Sequence, residues 1–168
     1  MRPFLLLLSS LILLSAWPVQ GRIVKIRKVH WADCLETEKG EMVHLLGIRA
    51  PLKGEPSGIE ATEFVKGILR GRQIDLQSDS SSIELLSKKG SSLFAYVFLV
   101  CDTCEGSSLV TKTGKTNEFS FHAKLVNINT LLLEKGFALL DSTQSCSKTG
   151  YFRFLEKTAR NAKVGYWK

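Results

Sequence analysis

Three sets of side chains in this sequence have types and spacings that could do chemistry. The stretch His44-Leu45-Leu46-Gly47-Ile48-Arg49-Ala50-Pro51-Leu52 sets a histidine and an arginine in an apolar frame, and Glu55 follows three residues later in a loop containing Gly and Pro. Arginine is a permanent cation, histidine is charged only in part at neutral pH, and Glu55 offers a base. His30, Asp33 and His44 would make a transition-metal cluster if folding brought them to one end of a barrel. The third set is the four cysteines, Cys34, Cys101, Cys104 and Cys146. As a redox pair, Cys101 and Cys104 would need a helix start to lower a thiolate pKa, whereas CDTC follows the strand-like run AYVFLV and enters a polar loop. A four-cysteine zinc site is a further reading.

The compartment bears on the cysteines. The chain opens MRPFLLLLSSLILLSAWPVQG, with a basic start, an apolar run from Phe4 to Trp17, and Val19 and Gly21 at the spacing of a signal-peptidase site. Residues 1-21 are therefore expected to be a signal peptide cleaved after Gly21, with residues 22-168 as one exported domain, periplasmic or secreted. An uncleaved anchor is the other reading, although the run is shorter than the roughly 20 apolar residues that span a bilayer. Export makes disulfides the default, expected as Cys101 with Cys104 and Cys34 with Cys146. Arg2 is the only charged residue of the leader, so 23 basic residues become 22 against 16 acidic ones. That excess suits a polyanion, and the length suits one core rather than two.

The elements that must position these groups follow from periodicity. RIVKIRKVH alternates apolar and basic residues, and DCLETEKGEMVHLLGI turns back at Lys39-Gly40, which predicts a three-strand meander. Ser57-Gly58-Ile59-Glu60 reads as a capping box, Ala61, Phe64, Val65, Ile68 and Leu69 as the buried stripe of a helix, and Gly71 as its stop. RQIDLQ and SLFAYVFLV add two strands around the polar segment 78-92. Residues 101-124 read as an inserted hairpin, Asn129 as the cap of a short helix ended by Gly136, and YFRFLEKTARNAKVGYW as a final helix with Phe152, Leu155, Ala159 and Ala162 on one face. Five strands with a helix after the third make an α+β chain compatible with a five-stranded OB-fold-like β-barrel.

The chain also resembles the staphylococcal (thermo)nuclease family. His44 to Leu52 is similar, without a gap, to that family's R-L-x-G-I-D-A-P-E segment. Gly58-Ile59-Glu60-Ala61 to Phe64 resembles its G-x-E-A-x-x-F helix start. Ile128-Asn129, Leu132-Leu133 and Gly136-Phe137-Ala138 resemble its V-N-x-x-L segment, and Leu155 through Gly165-Tyr166-Trp167 its closing helix. The resemblance implies a five-stranded barrel with three helices and calcium-assisted phosphodiester hydrolysis. The residues at the implied chemical positions are largely other types. Asp33 stands at one calcium carboxylate, with Trp31 where the D-G-D turn has its first Asp. Arg49 stands at the other carboxylate, Leu52 at the general base, His44 at one phosphate-binding arginine and Ser91 at the second.

These replacements set the functional expectation. A guanidinium at Arg49 removes a calcium ligand and adds a like charge, a leucine cannot take a proton from water, and losing a positioned base costs about 10²–10⁴ in rate. An Asp33 to Arg49 ion pair is expected to fill the vacancy, unless Arg49 turns to solvent. The expected protein is a degenerate, non-catalytic binding module without a cofactor, Ca2+ entering at Asp33 only if hydrolysis persists. Arg27 and Lys28 of the basic strand, with Lys88, Lys89, Lys112 and Lys115, would hold single-stranded nucleic acid, another polyanion or a protein partner. Trp31, Tyr96 and Phe121 are the candidates for stacking on bases, core packing being the alternative for Trp31 and the favoured reading for Tyr96 and Phe121. The alternatives are an active nuclease with a rearranged site, and an envelope interaction protein acting through residues 101-124.

Overall fold

The computed structural model describes residues 21-79, 92-100, 109-110, 116-117 and 125-168. Strands β1 (Arg22–Trp31), β2 (Cys34–Thr37) and β3 (Met42–Leu45) form the expected antiparallel meander. Ile26, Val29, Leu35, Val43 and Leu45 turn inward and are buried, as period-two alternation requires of a half-buried strand. Strand β1 carries an extra residue at two places, between Ile26 and Lys28 and between Val29 and Trp31. Bulges of this kind strengthen local twist and help a sheet curl.

A positive φ at Gly47 turns the chain into the two-residue strand β4 (Ile48–Arg49). A side chain there would press on the Cys146 sulfur and the Phe152 ring. Helix α1 (Gly58–Leu69) then packs its stripe Ala61, Phe64, Val65, Ile68 and Leu69 into the core. Strands β5 (Gln73–Gln77) and β6 (Ser92–Val100) complete the ring. β1 pairs with β5, β5 with β6, and β6 returns parallel to β3, so β1-β2-β3-β6-β5 is a closed five-stranded barrel. Closure removes the exposed edges of a small sheet. With its helices the chain is an α+β barrel of OB-like form.

Short strands β7 (Leu109–Val110) and β8 (Thr116–Asn117) pair antiparallel, in keeping with the expected hairpin. β9 (Leu125–Asn127) adds to the outer edge of β6 and leads into α2 (Ile128–Glu134). β10 (Leu139–Leu140) pairs with β4, and α3 (Thr149–Asn161) is followed by a 3-10 turn, Gly165–Trp167. Among the described residues no helix is long and apolar enough to cross a membrane. The expected leader, residues 1-21, lies outside them except for Gly21.

Three local expectations are corrected. Ser57 sits in the left-handed region at φ 59° without a side-chain bond to the helix amides. Its hydroxyl meets Glu60 Oε2 at 3.5 Å instead, so the reciprocal capping box is not made. The cap of α2 is Asn127, which accepts from the Thr130 N–H at 3.0 Å. Asn129 lies two residues on, in the first turn and fully buried, accepting from the Val97 N–H and donating to the Leu46 carbonyl. Ala162 is exposed, because α3 ends at Asn161 before the 3-10 turn carries the chain back to α2.

Candidate functional site

Of the positions singled out by resemblance, Asp33, Arg49 and Leu52 lie where the β1-β2 turn meets β4 and the loop after it. Asp33 lies in the two-residue turn between Trp31 and Cys34, and its Oδ2 accepts from the Ala50 N–H at 2.8 Å. Arg49 does not pair with Asp33. Its Nη1 lies 3.4 Å from Glu55 Oε2, and the same oxygen accepts the Leu52 N–H at 2.6 Å. The expected Asp33 to Arg49 pair is thus corrected. The tight turn 52-55, closed by Glu55 N–H to the Leu52 carbonyl, folds Glu55 back within reach of Arg49, while Asp33 is occupied by the backbone.

Asp141 adds a third carboxylate. Burial alone would raise its pKa, but the Thr143 hydroxyl and N–H, the Gln144 amide and the Arg49 charge overcome that and hold it below the usual carboxylate range. Arg49 is therefore balanced by acids of its own chain. The Leu52 side chain is 67% exposed and presents only hydrocarbon. Gly58 closes the loop, since a Cβ there would overlap the Leu52 carbonyl oxygen.

The metal cluster expected from His30, Asp33 and His44 is not assembled. No group of three or more such ligands occurs among the described residues. His30 Nε2 lies 3.0 Å from Glu36 Oε2, and that hydrogen bond, together with the one from Arg27, holds the Glu36 carboxyl below its ordinary pKa. His44 stacks on Phe94 at 5.2 Å between centroids and 25° between planes. The expected bridge between Cys34 and Cys146 is also corrected: both are free, buried thiols. Cys34 lies on β2 between its cross-strand partners Trp31 and His44. Cys146 enters α3, where its sulfur contacts the Thr149 hydroxyl at 3.4 Å. Burial first, then the Asp33 and Glu36 charges, push the Cys34 thiol up and make it a poor nucleophile. Cys101 and Cys104 lie outside the described residues.

Of the binding residues, Arg27 pairs with Glu36, and its neighbours Arg22 and Lys25 pair with Glu41 and Glu38. The basic face of β1 is thereby largely neutralised by the β2-β3 hairpin, and among the described residues Lys28 makes no ion pair. Trp31 is 47% exposed, as a stacking role requires. Tyr96 is a core residue, the favoured reading for it: it is 4% exposed, and its hydroxyl donates to the buried Asp79 carboxylate at 2.6 Å. Ser91, Lys88, Lys89, Lys112, Lys115 and Phe121 lie outside the described residues.

A surface that sequence reasoning missed is the outer side of α3. Its one acidic residue, Glu156, turns inward to accept the Leu140 N–H at 3.1 Å. Arg153 and Lys157 remain exposed and make no ion pair among the described residues, beside Tyr151 and the 63%-exposed Phe154. The signal was present in YFRFLEK, where aromatic and basic residues alternate off the buried stripe. No protein-family model matches the chain, and neither does any curated protein sequence.

Proposed function

We propose that this protein is a nuclease-like barrel that has lost its catalytic groups and works as a binding module for single-stranded nucleic acid or a similar polyanion. The observation that carries the reading is the internal closure of the catalytic end. Arg49 stands where a calcium carboxylate would be, is balanced by Glu55 and Asp141, and lies beside an exposed Leu52 that cannot activate water. A cation bound there would meet a guanidinium. Binding is supported by the net positive charge and by three cations that make no ion pair among the described residues, Lys28 on β1 and Arg153 and Lys157 on α3.

The test is incubation of the protein with single- and double-stranded nucleic acid in calcium, magnesium, manganese or zinc, following cleavage and retention together. Retention that weakens with salt, without cleavage, is the expected result. Cleavage abolished by Asp33→Ala would overturn the proposal in favour of an active nuclease.

A further inference from the structure

Strand β1 begins one residue after the point where the leader is expected to end, and a carboxylate without a full set of partners lies against that point. Asp75 of β5 is the register partner of Ile23 of β1 and of Phe98 of β6. Its side chain is on the outer face, since its chain neighbours Ile74 and Leu76 are buried inside the barrel. One carboxylate oxygen, Oδ2, accepts from the Gln77 amide at 2.9 Å. The other, Oδ1, is buried and has no hydrogen-bond partner among the described residues. Leaving a buried acceptor unsatisfied is costly, and native structures hold few such atoms.

The cations nearby are engaged elsewhere. The Arg22 guanidinium pairs with Glu41, Lys25 pairs with Glu38, and the Lys148 ammonium sits over the rings of Tyr96 and Phe98. What comes closest to Asp75 is backbone. A Cβ placed on Gly21 would stand 2.4 Å from Oδ1 and 2.8 Å from Oδ2. The Gly21 Cα is therefore within about 4 Å of Oδ1, and the Arg22 nitrogen, one carbonyl carbon further on, within roughly 6 Å. In the uncut chain that nitrogen is a neutral amide. Hydrolysis of the Gly21-Arg22 bond adds one water, leaving a carboxylate on the released leader and an α-ammonium on Arg22. Its ordinary pKa of about 7.7–8.0 keeps that group mostly charged at neutral pH.

We propose that Asp75 is the seat of the N-terminus created by leader removal: the α-ammonium of Arg22 docks on Oδ1 and ties the start of β1 to β5. The seam between these two strands, which runs from Arg22 to Lys25, is then completed only in the processed chain. The inference rests on cleavage after Gly21 and is independent of what the barrel binds. It also gives Gly21 a role beyond peptidase spacing, because any side chain there would press into the carboxylate.

The test is export of the full chain and mass spectrometry of the product, which should begin at Arg22. Its α-amino group, titrated through the pH dependence of acylation, should show a pKa about one unit above the ordinary 7.7–8.0 in the parent and the ordinary value in Asp75→Asn. With the folded value above the unfolded one, the stabilisation should be complete below about pH 7.7, as long as Asp75 is ionised, and should fade as pH rises through the raised value. Acetylation of the α-amine removes the charge and alters no side chain. At about pH 6 it should lower the unfolding midpoint of the parent by roughly 1–4 °C and leave that of Asp75→Asn unmoved. An exported product with a different N-terminus, an α-amine titrating in the ordinary range in both proteins, or an equal effect of acetylation on both would overturn the proposal. None of these readouts involves a nucleic acid, so their failure leaves the binding-module reading standing.

Discussion

Glu55 performs two tasks with one carboxylate oxygen, holding the Leu52 amide and facing the Arg49 guanidinium. The ion pair is partly exposed, and such pairs are worth about 0.2–1 kcal/mol. Arg49→Met should therefore change denaturant unfolding by less than about 1 kcal/mol. A larger loss would mean that Arg49 holds the barrel end together. Asn129 is the opposite case. Its side chain is fully buried and joins the Val97 N–H to the Leu46 carbonyl, so Asn129→Ala should cost roughly 1–3 kcal/mol for each backbone group left without a partner. Equilibrium unfolding of the two variants side by side checks both expectations.

The elements are tied by a few polar and glycine contacts. Asp79 after β5 accepts from the Tyr96 hydroxyl of β6 and from the Ser147 N–H ahead of α3. Burial first, and then the hydrogen bond to Asp79, raise the Tyr96 pKa, so this phenol stays protonated. Tyr96→Phe should lose about 1–3 kcal/mol in unfolding experiments. Gly136 and Gly165 meet where the 3-10 turn returns to α2. Both have positive φ, and a Cβ on either would overlap backbone of the other segment. The loop after β10 carries a pH signature. The carboxyl of Asp141 is held below its usual pKa, so its contribution to stability is complete above about pH 4 and fades as pH falls through the lowered folded value. Asp141→Asn should flatten the acid side of the stability profile, and an unchanged slope would show that other carboxylates set it.

At the scale of the whole molecule, the distribution of charge matters more than its total. The hairpin β2-β3 neutralises most of β1, whereas α3 keeps Arg153 and Lys157 unopposed. If both meet phosphates of a bound strand, replacing them with Gln should reduce the slope of log affinity against log salt by about 1.4. An unchanged slope would place the strand elsewhere. Local sequence determined much of this protein. Alternation of residues set the inward faces of the meander, the stripe from Ala61 to Leu69 set α1, and Leu45, Gly47, Ile48 and Pro51 set the corner after β3, because periodicity and turn chemistry act over a few residues. Composition fixed the excess of cations. Only the tertiary structure decided the partners. Glu55 rather than Asp33 answers Arg49, Cys34 and Cys146 stay apart, Glu36 cancels Arg27, and His44 finds Phe94 through the parallel pairing that closes the barrel. Those pairings depend on register and closure between distant segments, and no short-range pattern encodes which side chain a closed ring of strands will set beside another.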